Sequence, residues 1–218
     1  GKSALTANTT GANNTAVGAY SLYVNTTGAN NVAVGCNSFD ANTTGYECVA
    51  VGKNALGANT TAYANTAIGA DAMKVSTTAP QCVAVGYNSL EALTTGGYNV
   101  AVGGESMKAM TTGNHNVSLG YAAGLALTDA TQCTAVGSNA LRSATAGNLR
   151  NTAIGTQSLY TNTDGNANTA VGMNSLLYNT TGDSNVAVGT YALQAMTTAN
   201  CNTALGANAL LVNTTGAN

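Results

Sequence analysis

Apolar side chains return along this chain at a fixed interval. A tripeptide of Thr or Val, then Ala, then Val, Ile or Leu closes on glycine at Gly18, Gly35, Gly52, Gly69, Gly86, Gly103, Gly120, Gly137, Gly155, Gly172, Gly189 and Gly206, with Gly1 in phase before them. Eleven of the twelve intervals are 17 residues long and one, ending at Gly155, is 18. We number the columns of this repeat from the glycine, which is position 0, up to +16. A period of this length with recurring turn residues predicts a solenoid, in which each residue stacks about 4.8 Å above its counterpart in the coil before.

Columns +14 to +16 form the clearest predicted strand. The small Ala column (Ala16, Ala33, Ala50, Ala67) lies between two larger apolar or Thr columns, and Ser118 is its one exception. Adjacent strand residues face opposite ways, so this strand carries apolar surface on both faces. One face is expected to meet the chain's own coil and the other a second chain. The row Val17, Val34, Val51, Ile68, Val85, Val102, Val136, Ile154, Val171 and Val188 is therefore expected to line the core and a subunit interface. Columns +3 and +4 hold Ala or Ser followed by Leu, Met or Phe (Ser21 and Leu22, Ser38 and Phe39), broken at +4 only by Gly124. They read as a return strand, giving two short strands per coil and a flattened roll.

The turns use a different chemistry. Column +7 opens an N-T-T-G run in several coils (Asn8 to Gly11, Asn42 to Gly45), whose residues favour side-chain-to-backbone bonds and positive φ. Its first Thr, column +8, is Thr in all thirteen copies, and stacked hydroxyls can bond coil to coil. Column +13 alternates Asn with Cys, and Asn14, Asn31, Cys48, Cys82 and Cys133 are expected to form a structural ladder in which Cys replaces Asn as a small, buried group. Cys48 and Cys82 lie two coils apart, about 9.6 Å, which is too far for a disulfide. Without a C-x-x-C pair, zinc is not expected.

Composition narrows the function. Only 6% of residues are charged, the net charge is −2, Trp is absent and Phe39 is the sole Phe, so any core must be narrow. Disorder conflicts with 44% hydrophobic residues at regular spacing. Six scattered basic residues make no stripe for nucleic acid. No apolar run reaches the roughly 20 residues of a membrane span. The single histidine, His115, and acids spread through different columns supply no catalytic dyad, so no enzyme and no cofactor are expected. N-x-T sequons at Asn8, Asn25, Asn42, Asn59, Asn179 and Asn213 fall out of the repeat itself.

The unit N-T-A-V-G-x-x-S-L, at Asn14 to Leu22 and again at Asn168 to Leu176, resembles the repeats of trimeric autotransporter adhesin heads and of phage tail fibres. The resemblance covers the whole chain. It implies an all-β, left-handed parallel β-roll, a homotrimeric rod and attachment at a cell or virion surface. Residues 1–218 then form one continuous array of about twelve coils, with the long coil at 138–155, and are expected to be a fragment of a longer extracellular fibre.

Departures from the consensus mark His115, Arg142, Asn148, Leu149 and Arg150 as candidate recognition residues for a host glycan or matrix protein. Two other functions compete. One is a spacer or self-assembled filament; the other is an ice-binding array of the paired threonines, which Asp129, Ala146 and Asp164 interrupt.

Overall fold

The computed structural model describes residues 1–145, 147, 149–214 and 216. Two compact units, Gly1–Thr112 and Gly113–Asn218, divide the chain. Each is a parallel β-solenoid, and no helix occurs among the described residues.

Every coil contributes one three-residue strand from columns +14 to +16. In the first unit these are β1 Thr15–Val17, β2 Val32–Val34, β3 Val49–Val51, β4 Thr66–Ile68, β5 Val83–Val85 and β6 Val100–Val102. In the second they are β7 Val117–Leu119, β8 Thr134–Val136, β9 Thr152–Ile154, β10 Thr169–Val171, β11 Val186–Val188 and β12 Thr203–Leu205. Each strand pairs in parallel with the next inside its unit, and the register keeps like on like: Ala16 opposite Ala33, Ala33 opposite Ala50, Ala153 opposite Ala170. The β-branched residues beside each alanine favour this extended backbone, and the glycine after it ends the strand.

That glycine is demanded twice. Gly52 adopts φ 136°, and a Cβ there would lie 2.4 Å from the carbonyl oxygen of Gly69 in the next coil. Neither the dihedral nor the spacing admits another residue.

The return segment differs from expectation. Columns +3 and +4 are not a strand, because the backbone enters the left-handed region at +2 and +4 in coil after coil, as at Tyr20 (58°) and Leu22 (47°) or Asn54 (56°) and Leu56 (51°). Coil-to-coil bonds persist all the same, with Leu22 N donating to Ser38 O at 3.1 Å and Leu90 N to Ser106 O at 3.0 Å. The physical reason lies in what must be buried. Both Ser21 and Leu22, Ser38 and Phe39, and Ala55 and Leu56 are fully buried, and two successive residues cannot both point inward from a strand. Gly124 fits its place without strain, since +4 already requires φ near 60° there.

The core is thin, as composition demanded. The Ala column faces the +3 and +4 side chains, with Leu22, Phe39, Leu56, Met73, Leu90 and Met107 sealed along the first unit.

Candidate functional site

Three ladders hold the coils in register and decide which side chains remain free to act. At +13 Asn spans to the next coil, as at Asn31, whose Nδ2 donates to Gly45 O at 2.8 Å while its Oδ1 accepts from Cys48 N at 2.9 Å. Cysteine repeats the pattern with sulfur. Cys82 Sγ donates to Gly96 O at 3.5 Å and accepts from Asn99 N at 3.5 Å. All five cysteines are free thiols. Burial pushes Cys48 and Cys82 up to about 11 and raises Cys133 as well, so these three are poor nucleophiles.

At +8 the hydroxyls bond coil to coil, but to carbonyls and not to one another: Thr26 Oγ1 donates to Thr43 O at 2.9 Å and Thr94 Oγ1 to Thr111 O at 2.9 Å. At +7 the turn asparagines make the expected side-chain-to-backbone bonds, Asn42 Nδ2 to Gly45 O at 3.0 Å, and also form a ladder that the N-T-T-G run itself does not announce. Asn25, Asn42, Asn59 and Asn179 are fully buried, and Asn42 Nδ2 donates to Asn25 Oδ1 at 2.6 Å. A signal was present, because Leu93, Met110, Leu127 and Met196 replace Asn in that column.

With these groups committed, the outward surfaces remain. The row of Val17, Val34, Val51, Ile68, Val85, Val102, Val136, Ile154, Val171 and Val188 does not line the chain's own core; the Ala column does. Val17 is 56% exposed and Ile68 40%, Val102 and Ile154 are also exposed, and the other six are half-buried. Thr or Val at +14 shares this outward face. Columns +14 and +16 contain no charged residue in any coil; all of the charges fall at +1, +2, +5, +9, +11 or +12, on the turns and the return wall. Each unit therefore presents an uncharged strand face of Thr, Val, Ile and Leu, with every charge kept to the turns and the return wall.

The candidate recognition residues are not gathered into one site. His115 and Arg150 are exposed in column +12 of the second unit, at left-handed φ of 59° and 46°. Arg142 lies instead on the return wall, its Nη1 3.4 Å from the Tyr160 hydroxyl and its guanidinium 5.8 Å from that ring. Leu149 is only 1% exposed, which removes it from any recognition surface. The extra residue of its coil is absorbed in the turn, where Gly147 N donates to Asp129 Oδ1 at 2.9 Å and Leu149 N to Gly147 O at 3.0 Å, and the leucine is turned inward. Asn148, like Ala146, lies outside the described residues.

Among the described residues, no three His, Cys, Asp or Glu side chains converge on a point where a metal could sit. No helix among them is long and apolar enough to cross a membrane. Comparison with protein-family models, with curated proteins and with solved structures finds no match to this chain.

Proposed function

We propose that this chain is a non-catalytic segment of an attachment fibre at a cell or virion surface, a left-handed roll in which three copies pack through the faces of their strands. The observation that supports this reading most is the uncharged face formed by columns +14 and +16. A sheet face on a soluble chain normally alternates with polar groups, and a continuous apolar strip marks a surface that meets protein. The repeat's resemblance to adhesin heads and tail fibres points the same way.

Sedimentation equilibrium tests it. The expected mass is three times the 21.5 kDa of one chain. Val51→Glu with Val85→Glu places like charges on that face and should shift the mass toward one chain without loss of β-structure by circular dichroism. A single-chain mass for the unmodified protein at micromolar concentration would refute the assembly. The ice-binding alternative fits less well, because the +8 hydroxyls already donate to carbonyls of the next coil. A passive spacer shares the same assembly and differs only in binding nothing.

A further inference from the structure

Column +5 runs along the return wall, and twelve of its thirteen copies carry a side chain, from Thr6 and Tyr23 to Gln194 and Leu211. Gly57 is the exception. Its missing side chain leaves an open notch of about 320 Å³ between Asp40 of the preceding coil and Lys74 of the following one. The amides of Asn37 and Asn54 at +2 border it on one side, and Ala58 and Val75 at +6 on the other.

Nothing in the backbone requires glycine here. Gly57 is outside the left-handed region, and a Cβ built on it would meet Asn54 O at 3.3 Å, Asp40 Oδ1 at 3.5 Å and Lys74 O at 3.6 Å, which is close but admissible contact. Marker glycines stacked beneath another coil, such as Gly18, Gly52 and Gly120, would by contrast clash at 2.3 to 2.7 Å. Gly57 thus creates space without solving a folding problem.

The lining has a defined chemistry. Lys74 Nζ is held by Asp71 Oδ1 at 3.4 Å, and Asp71 also accepts from Asn54 Nδ2 at 2.9 Å, so the far wall is braced and the Asn54 Oδ1 acceptor remains. The Asp40 carboxylate has no ion-pair partner among the described residues, and burial holds it above the usual carboxylate range, offset in part by its own and Ala41's N–H groups. Asp40 and Asp71 are balanced by Lys74 and the neighbouring Lys53, so the notch carries no net charge and offers little to a simple anion or cation. Acceptors at Asp40 and Asn54, donors at Asn37 and Lys74, and a small apolar strip at Ala58 and Val75 suit a neutral ring that carries hydroxyls on its edge and C–H groups on its face.

We propose that the Gly57 notch is a binding subsite for one neutral pyranose residue of a surface glycan. The proposal rests on the attachment reading and gives that reading a ligand class and a place in the first unit.

Saturation-transfer NMR on the full chain tests it, with the methyl glycosides of glucose, galactose, mannose and N-acetylglucosamine as probes at millimolar concentration. At least one should receive saturation. Gly57→Thr, which copies Thr6 of the same column, should weaken that transfer at least tenfold while keeping the wild-type dichroism spectrum and melting temperature, and Asp40→Asn should weaken it too. No transfer to any of the four sugars, or transfer unchanged in Gly57→Thr, would overturn the proposal. A glycan array separates the two levels of inference. Equal retention of wild type and Gly57→Thr sinks the notch and leaves attachment standing; no retention of either sinks the glycan proposal, and attachment itself falls only if the wild-type chain also fails to bind host cells and matrix protein.

Discussion

Replacing Asn65 by alanine tests the ladder at +13 directly. Asn65 is fully buried, its Nδ2 donates to Ala79 O at 2.7 Å and its Oδ1 accepts from Cys82 N at 2.8 Å. Alanine removes both partners and leaves a buried N–H and a buried C=O with nothing to bond. Each orphaned group costs about 1 to 3 kcal/mol, so Asn65→Ala should lose about 4 kcal/mol. For a chain of this size that corresponds to a fall of about 8 to 16 °C in melting temperature. Asn65→Cys should be far milder, about 1 to 2 kcal/mol, since Cys82 shows that a thiol can both donate and accept in this column, through weaker bonds. Urea unfolding followed by circular dichroism, at one fixed protein concentration so that self-association contributes equally, gives both values. Hydrogen exchange on Thr66 to Val85 should localise the loss to the coils on either side. If alanine cost less than about 1 kcal/mol, or alanine and cysteine cost the same, the account of column +13 as a bridging ladder would be wrong.

Four further outcomes follow from the same stacking. Gly52→Ala forces a Cβ to 2.4 Å from Gly69 O at φ 136°, and strain with overpacking should cost about 4 kcal/mol or more, seen as loss of soluble yield or a collapsed melting temperature. Ser76 Oγ is buried without a partner, next to the unpartnered Asn59 Nδ2, so Ser76→Ala should raise stability by about 1 kcal/mol in the same urea assay; a loss would show that the hydroxyl is bonded. Ellman's reagent should titrate the exposed Cys36 and Cys201 in the native chain and all five thiols in guanidinium. Because burial raises the folded pKa of Cys48 and Cys82 from 9.0 to about 11, their contribution is complete below pH 9 and disappears as pH climbs to 11, about 3 kcal/mol for each thiol; a flat stability profile over that window would contradict their burial.

Much of this architecture is legible in the sequence alone, because stacking turns a sequence period into a column of contacts. The strand position, its like-on-like register and the sulfur-for-amide exchange at +13 all followed from which residues recur together. The return wall did not. Ser21 and Leu22 looked like successive residues of a strand, yet both are buried, and only a backbone that visits the left-handed region can point neighbours the same way. That adjacency was itself the clue. Asn at +7 was hidden behind the turn preference of Asn, although Leu93 and Met110 in the same column already signalled an interior site. For the surface the sequence is weaker still. Drift from consensus selected Leu149, which the long coil tucks inside, and passed over Gly57, where the departure is the absence of a side chain.

The buried amides at +7 bear on how the protein can be made. Asn25, Asn42, Asn59 and Asn179 each head an N-x-T acceptor sequence, yet their nitrogens lie inside the solenoid, out of reach of any oligosaccharyltransferase once folding is complete. In a secretory pathway that attaches sugars during translocation, a carbohydrate placed on Asn42 would separate it from Asn25 and leave that coil unable to close. Exchanging the exposed third residue of each acceptor, such as Thr27 or Thr44, for alanine erases the signal and leaves both stacks untouched. Bacterial cytoplasm, or a eukaryotic host carrying those exchanges, is therefore the setting in which this chain should reach its native form.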